Sequence, residues 1–494
     1  MALLGAQLVI TLVMISIIQK LGPHFSFAKW LICSTGLVRY LYPTNDELKQ
    51  LANIPKDKPK SKKNLKGISN GKNTPDKFHI DKSLDVQLET AKVTYLDVIH
   101  LRYYSEYQWL VDFSLYALIV YITTETYQIW FPLKDEVNLS IIWCFLVVLF
   151  AIKLLLSLTV QYFKGEESVG ERSTCIVMAF IYLLVAMVVL IIDENTLEIG
   201  LEQAYTTFNQ SAAAFLNKQG LNSSGPASKI VIKFFIAIWC SILGAIVTFP
   251  GMRIAKMHWD LLKYFRENRI KQLLLNITFA LPFLLVVLWI KPVARDYVTV
   301  RIFSGRSEPL ISEASFEIAR LIAIIITIII KIYLTPWYLQ AYLDMAYHRI
   351  EEQKKEAGRI TNIEYQKKIA AVFYYLCVVA LQYLAPLIIC LFLSLMYKTL
   401  GEFQWAELFS GPSNECSLKD QSESIVDSIA STMKNESNPE VTEDFFLTMD
   451  NLKAIFFTPV ILKGIFGFAT WWCCFIYFTT TSLGLIYQSY FSII

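Results

Sequence analysis

Six ionisable residues stand inside stretches that are otherwise apolar: Asp112, Glu125, Lys153, Lys233, Arg320 and Lys331. A charge in hydrocarbon costs roughly 2.5–3.5 kcal/mol on the insertion scale, so each of these residues needs protein or water around it. Two kinds of chemistry are open to them: ion pairing that pins helices together, or a polar path for an ion. Depth suggests the pairs. Asp112 lies about 4–5 Å, and Lys153 about 10 Å, inside the same end of two consecutive apolar runs, taking the helical rise per residue. A lysine stem can bridge that offset. Glu125 lies about 9 Å from the opposite end, a depth shared by Lys233 and Arg320 on other runs. Glu125 is therefore expected to pair with Arg320, whose planar fork can satisfy both carboxylate oxygens, with Lys233 as second choice. Arg320 and Lys331 share one face of their helix, whereas Asp112 and Glu125 do not share a face of theirs. Two separate pairs fit better than one relay. Lys331, near a helix end, is expected to snorkel.

Other chemistry finds little support. The five histidines (His24, His79, His100, His258 and His348) are scattered, with no H-E-x-x-H and no Cys/His cluster, so no metal site is expected. No G-x-S-x-G elbow is present. Gly165 and Gly170 have phosphate-loop spacing, but Glu171 stands where a lysine is needed and would repel phosphate. The expectation is no enzyme, no catalytic residue and no cofactor.

The elements that must position the charges are membrane spans. The chain has 494 residues, 55% of them hydrophobic and 18% charged. An ordinary soluble domain has about 25% charged residues. The clearest unit runs from Trp109 to Val160: two apolar runs of spanning length joined by PLKDE, which reads as an antiparallel transmembrane hairpin. Acids on two sides of Trp109–Phe131 place that helix near the centre of a bundle. The fold class expected is all-α, a multi-pass helical bundle of about nine spans with a disordered basic linker. Of the nine cysteines, most lie in or beside apolar runs and read as small hydrophobes.

In chain order, residues 2–19 read as an uncleaved first span, since no basic residue precedes the run. Residues 25–42 suit an interfacial helix. Residues 49–82 hold ten lysines against three aspartates and should be disordered, either a solvated tether or a segment that binds anionic lipid. Later spans are expected at 173–193, 228–250, 272–290, 316–334, 369–396 and 464–486. Residues 251–271 read as a basic amphipathic helix on the inner surface, 291–315 as an irregular loop and 456–463 as an interfacial piece. Pro282 with Asn276, and Pro386 with Gln382, mark polar kinks in mid-span. The expected domains are 1–48 (first span and interfacial helix), 49–108 (basic cytosolic linker), 109–398 (bundle core), 399–453 (acidic outer or lumenal loop) and 454–494 (last span).

Alternating nine spans from a cytosolic linker puts about 29 Lys and Arg inside and about 10 outside, as the positive-inside rule asks. The sequons at Asn209, Asn222 and Asn435 all fall outside and are candidate glycosylation sites.

Six stretches carry a resemblance: SEYQWLVDF (105–113), FAIKLLLSLT (150–159), ITFALPFLLVVLWIKP (277–292), LQAYL (339–343), KKEAGRI (354–360) and FYYLCVVALQYLAPL (373–387). Over most of its length the chain resembles the transmembrane protein 161 family. The resemblance implies a role in membrane excitability and in calcium and potassium homeostasis, with heart rhythm and neural development as settings. Protection against oxidative stress is also associated with the family. It supplies no catalytic or binding residues. The function expected is a non-enzymatic modulator of ion homeostasis in the plasma membrane or endoplasmic reticulum; the alternative is that the chain is itself a transporter or channel. Expected partners are the lipid bilayer, ion channels or pumps, and anionic lipids at the basic linker, with no nucleic acid. The orientation has a direct test. An antibody to residues 49–82 should bind only permeabilised cells, and staining of intact cells would invert the topology.

Overall fold

The computed structural model of the chain describes residues 6–22, 24–52, 77–130, 138–164, 169–218, 228–302, 309–401, 403, 405 and 458–493. The helices of more than ten residues are α1 (Ala6–Leu21), α2 (Tyr104–Trp130), α3 (Ser140–Lys164), α4 (Val169–Ile191), α5 (Leu201–Lys218), α6 (Lys229–Tyr264), α7 (Arg269–Val287), α8 (Glu313–Tyr333), α9 (Thr335–Lys355), α10 (Asn362–Tyr374), α11 (Leu376–Leu400) and α12 (Pro459–Ile493). The all-α, multi-pass architecture expected from the sequence is what the chain adopts.

Six helices are long and apolar enough to cross a membrane, and a seventh if α8 and α9, bent by 43°, form one span. That is fewer than nine. Helix α1 is apolar but short. Helix α2 has the length, but its threonines, tyrosines and three acids dilute its apolar character.

The centre of the bundle is α11, where every residue from Leu376 to Lys398 is buried. Helices α2, α3, α6, α8, α9 and α12 all pack against it. Its near-continuous apolar sequence, with no polar stripe, suits a helix that presents no face to solvent. The expectation that Trp109–Phe131 is central is overturned. Helix α2 exposes Trp109, Ile119, Ile122, Ile129 and Trp130 and lies at the periphery. Its acids are satisfied from the side, so no central position is needed.

Small residues set the closest approaches. Gly251 of α6 lies against Thr480 of α12, and Gly484 of α12 lies against Met252 and Ala255 of α6. A Cβ on Gly484 would meet the Cα of Met252 at 2.9 Å, so the two backbones touch there. Gly464 of α12 contacts Gly200, whose φ of +76° ends the loop before α5.

Several segments differ from the sequence reading. Residues 25–42 form two short helical turns, Phe27–Lys29 and Trp30–Ser34, followed by strand β1 (Val38–Tyr40), instead of one interfacial helix. The expected disorder of 49–82 fails at its C-terminal end. Strand β2 (His79–Asp81) pairs antiparallel with β4 (Arg359–Thr361), and β3 (Thr90–Lys92) pairs with β1. Lys82 bonds Glu356 at 2.7 Å and holds that carboxyl below its ordinary range. Arg359 bonds Asp81 at 3.0 Å. Gln340 of α9 clamps β1 through both its amide atoms, accepting from the Val38 N–H at 2.9 Å and donating to the Val38 carbonyl at 3.2 Å. Residues 53–76 lie outside the described residues.

Residues 251–264 are not a separate amphipathic helix. They prolong α6, burying Ile254, Ala255, Met257, His258 and Leu261 against the bundle. Residues 459–463 likewise belong to α12. The region 291–315 contains two helical turns, Lys291–Arg295 and Asp296–Thr299, before α8 begins. The strands, the extension of α6 and the start of α9 all lie at one end of the bundle, the basic face. The ends of α2, α8 and α11 that carry Glu125, Glu317 and Lys398 lie at the other, which the charge balance leads one to expect as the outer face.

Gly251→Val should lower thermal stability by about 1–3 kcal/mol, the range for overpacking. Its new carbon atoms would land on the Thr480 side chain and backbone. Unfolding of purified protein in detergent measures this; an unchanged midpoint would show that α6 and α12 are not in backbone contact.

Candidate functional site in the charged interior

At the outer face, three consecutive residues near the end of α11 organise the buried charge. Lys398 forms an ion pair with Glu125 of α2. The Thr399 hydroxyl donates to the other Glu125 oxygen at 3.1 Å and lies 2.9 Å from the Tyr121 hydroxyl. Tyr397, the next residue back, turns to α8 and donates to Glu317 at 3.0 Å. Glu125 and Lys398 are both buried.

The Arg320 cluster is separate. Arg320 is 2% exposed and forms its ion pair with Glu317, one turn earlier on the same helix. Its guanidinium also donates to the Tyr397 hydroxyl at 3.2 Å and lies 4.2 Å from the Trp289 ring centre. Glu198, in the loop before α5, comes within 3.5 Å of Arg320 and pairs with Arg295, which in turn reaches Glu313 at 2.6 Å. Burial pushes the Glu198 carboxyl above its ordinary range. Lys463 lies 4.0 Å from Glu317. Three cations and three acids thus close on one another.

The expected Glu125–Arg320 pair does not form, and Lys233 is not the substitute. Lys233 donates to the Leu190 carbonyl at 2.7 Å and lies 3.6 Å from Glu202. A hydrogen bond from Lys229 holds the Glu202 carboxyl below its ordinary range. Depth matching missed Lys398 because it lies just past the apolar run of its helix. It also passed over Glu317, although Glu317 and Arg320 have the spacing at which helical side chains meet.

The expected Asp112–Lys153 pair also fails. Asp112 accepts from the Ser26 hydroxyl at 2.6 Å and from the Ala28 N–H at 3.0 Å, capping the helical turn that starts at Phe27. Lys153 is exposed, on the side of α3 away from the buried Ala151, Leu154 and Leu155. A flexible stem lets such a lysine carry its ammonium toward the interface.

Lys331 contradicts the snorkelling expectation. It is 4% exposed, with its ammonium 5.0 Å from the Tyr477 ring centre. No carboxylate pairs with it among the described residues. Around it, His258 Nδ1 is 3.1 Å from the Tyr338 hydroxyl, and the Tyr383 hydroxyl donates to the Lys331 carbonyl at 2.8 Å. The Tyr477 hydroxyl is buried without a hydrogen-bond partner.

Of the sequons, Asn209 lies half-buried in α5, while Asn222 and Asn435 lie outside the described residues. Asn276 is exposed on α7, and Gln382 is buried in α11.

A multi-pass helical membrane protein with a charge-paired interior is the class that this fold and site define. A family model described as predicted transmembrane protein 161AB matches residues 2–492. The chain belongs to that family. No solved structure matches it.

Glu125→Gln and Lys398→Gln should each destabilise the protein by about 3–5 kcal/mol, the range for stranding one buried charge. The double variant should recover much of that loss, whereas Glu125→Gln combined with Arg320→Gln should be additive. Thermal unfolding of these four variants and of Arg320→Gln alone in detergent decides it. Additivity of the Glu125 and Lys398 effects would break the assignment.

Proposed function

We propose that this chain is a non-enzymatic membrane protein that modulates calcium and potassium homeostasis, and through them membrane excitability. It would act on channels or pumps in the plasma membrane or endoplasmic reticulum. The observation that carries this reading is the closure of the outer charges. Glu125 is matched by Lys398, and Glu317 and Glu198 by Arg320 and Arg295. Charges that conduct must face a water-filled path and exchange partners with an ion, whereas charges that pin helices are buried against each other. The choice of calcium and potassium rests on what the family resemblance implies.

A second reading, that the chain itself transports an ion, is favoured by one observation. Lys331 is a buried ammonium with an aromatic neighbour in place of a carboxylate. Intramembrane cations of this kind occur in proton and substrate relays.

Purified protein in liposomes separates the two. Under the modulator reading, calcium and potassium flux equals that of empty liposomes, while cells lacking the chain show altered calcium transients that its re-expression restores. Flux above background that is lost in Lys331→Met would establish transport instead. Absence of both flux and a cellular effect would remove both readings.

A further inference from the structure

We propose that the basic face holds a binding site for an inositol phosphate, presented as the headgroup of a membrane lipid. The site is a cavity of about 1030 Å³ between α3, α6, α9, α11 and α12. Binding pockets for small molecules are typically about 300–1,000 Å³, so a polyphosphorylated ring fits with room for its glycerol.

Charge is the first argument. Among the described residues, Arg102, Arg253, Lys256 and Arg349 line the cavity, against one acid, Glu171. The Arg102 guanidinium is aimed by neutral groups, donating to Gln161 Oε1 at 2.9 Å and to the Tyr375 hydroxyl at 3.3 Å. Its charge is therefore not compensated. Arg253, Lys256 and Arg349 make no ion pair among the described residues. The outer face shows the contrast, since there the cations are matched by acids within 4 Å. Clustered arginines suit phosphate because the planar guanidinium bonds two oxygens at once.

The second argument is an unused acceptor. Gln382 is 2% exposed, and its amide donates to the Tyr162 hydroxyl at 3.3 Å. Its carbonyl oxygen Oε1 is buried with no partner. Gln382 lines the cavity, and a turn of its side chain would bring this oxygen to the hydroxyls of an inositol ring while the ring phosphates meet the arginines.

The third argument is position. The positive-inside rule places this face in the cytosol. Leu158, Phe249, Met252 and Val378 give the cavity an apolar wall on the spanning side. Basic pockets between spans on the cytosolic side are suited to lipid headgroups of this kind. Among the described residues, none of those that line the cavity belongs to the lysine-rich segment 49–82. The site holds under either reading of function, and its test measures binding, not flux.

The test uses the full chain in nanodiscs of neutral lipid. The probes are dioctanoyl phosphatidylinositol 4,5-bisphosphate, soluble inositol 1,4,5-trisphosphate and dioctanoyl phosphatidylserine, with binding read by native mass spectrometry and thermal shift. Saturable binding of the phosphoinositide, weakened by added salt, is expected. If the soluble polyphosphate binds as well as the lipid, the same site takes a cytosolic inositol phosphate. If only the lipid binds, the membrane is the source. Arg253→Gln with Arg349→Gln should weaken binding about 100-fold, about tenfold for each charge-assisted contact. Arg266→Gln with Arg269→Gln, removing equal charge from the same face outside the cavity, should leave it unchanged. Should the first double variant fail to fold by size-exclusion, Lys256→Gln alone is read, with about tenfold weakening expected. Full affinity in the cavity variants, equal binding of phosphatidylserine, or no binding of either inositol phosphate would overturn the proposal.

Discussion

A helix with no face to lipid must end in partners, and the rest of this bundle is arranged around that constraint. Helix α11 is buried on every side from Leu376 to Lys398. An ammonium and a phenol at its buried end are stable there only if neighbouring helices bring carboxylates to the same level. Helix α2 brings Glu125 and α8 brings Glu317. Two peripheral helices are thus fixed in height relative to the centre by polar contacts, while small-residue packing fixes α12 against α6. Lipid tails are as apolar as leucine, so the hydrophobic effect cannot set these heights inside a membrane.

The two ends of the bundle treat charge differently. At the outer face, acids and bases occur together and cancel, and the Arg295–Glu198–Arg320–Glu317 chain draws the loop before α5 onto α8. At the basic face, the cations that line the cavity lack such partners among the described residues, while the strands nearby form their own ion pairs at Lys82–Glu356 and Arg359–Asp81. The same side-chain chemistry therefore serves cohesion at one end and leaves an open positive field at the other.

Toward the basic face sits Lys331, with His258, Tyr338, Tyr383 and Tyr477 close by. An aromatic ring face offers a cation part of what a carboxylate would, at a smaller desolvation cost to the partner. Among the described residues, no carboxylate pairs with this buried charge.

The amino-acid sequence by itself determined the membrane class, most of the long helices, the family and some of the charges that had to be accommodated. Spanning length and apolarity are local properties, readable residue by residue. The pairing of those charges was decided only by tertiary structure. Depth along a helix can be computed from sequence, but azimuth and neighbours cannot, and a pair needs all three. Arg320 met Glu317 on its own helix, Asp112 capped a turn eighty-odd residues upstream, and Lys153 turned outward. Helix α2, expected at the centre because it carries two acids, lies at the edge because α11 and a backbone turn reach out to satisfy them. The strand pairs at the basic face were illegible for a related reason. Three-residue strands carry almost no periodicity, and β2 meets β4 only because the bundle brings residue 80 beside residue 360.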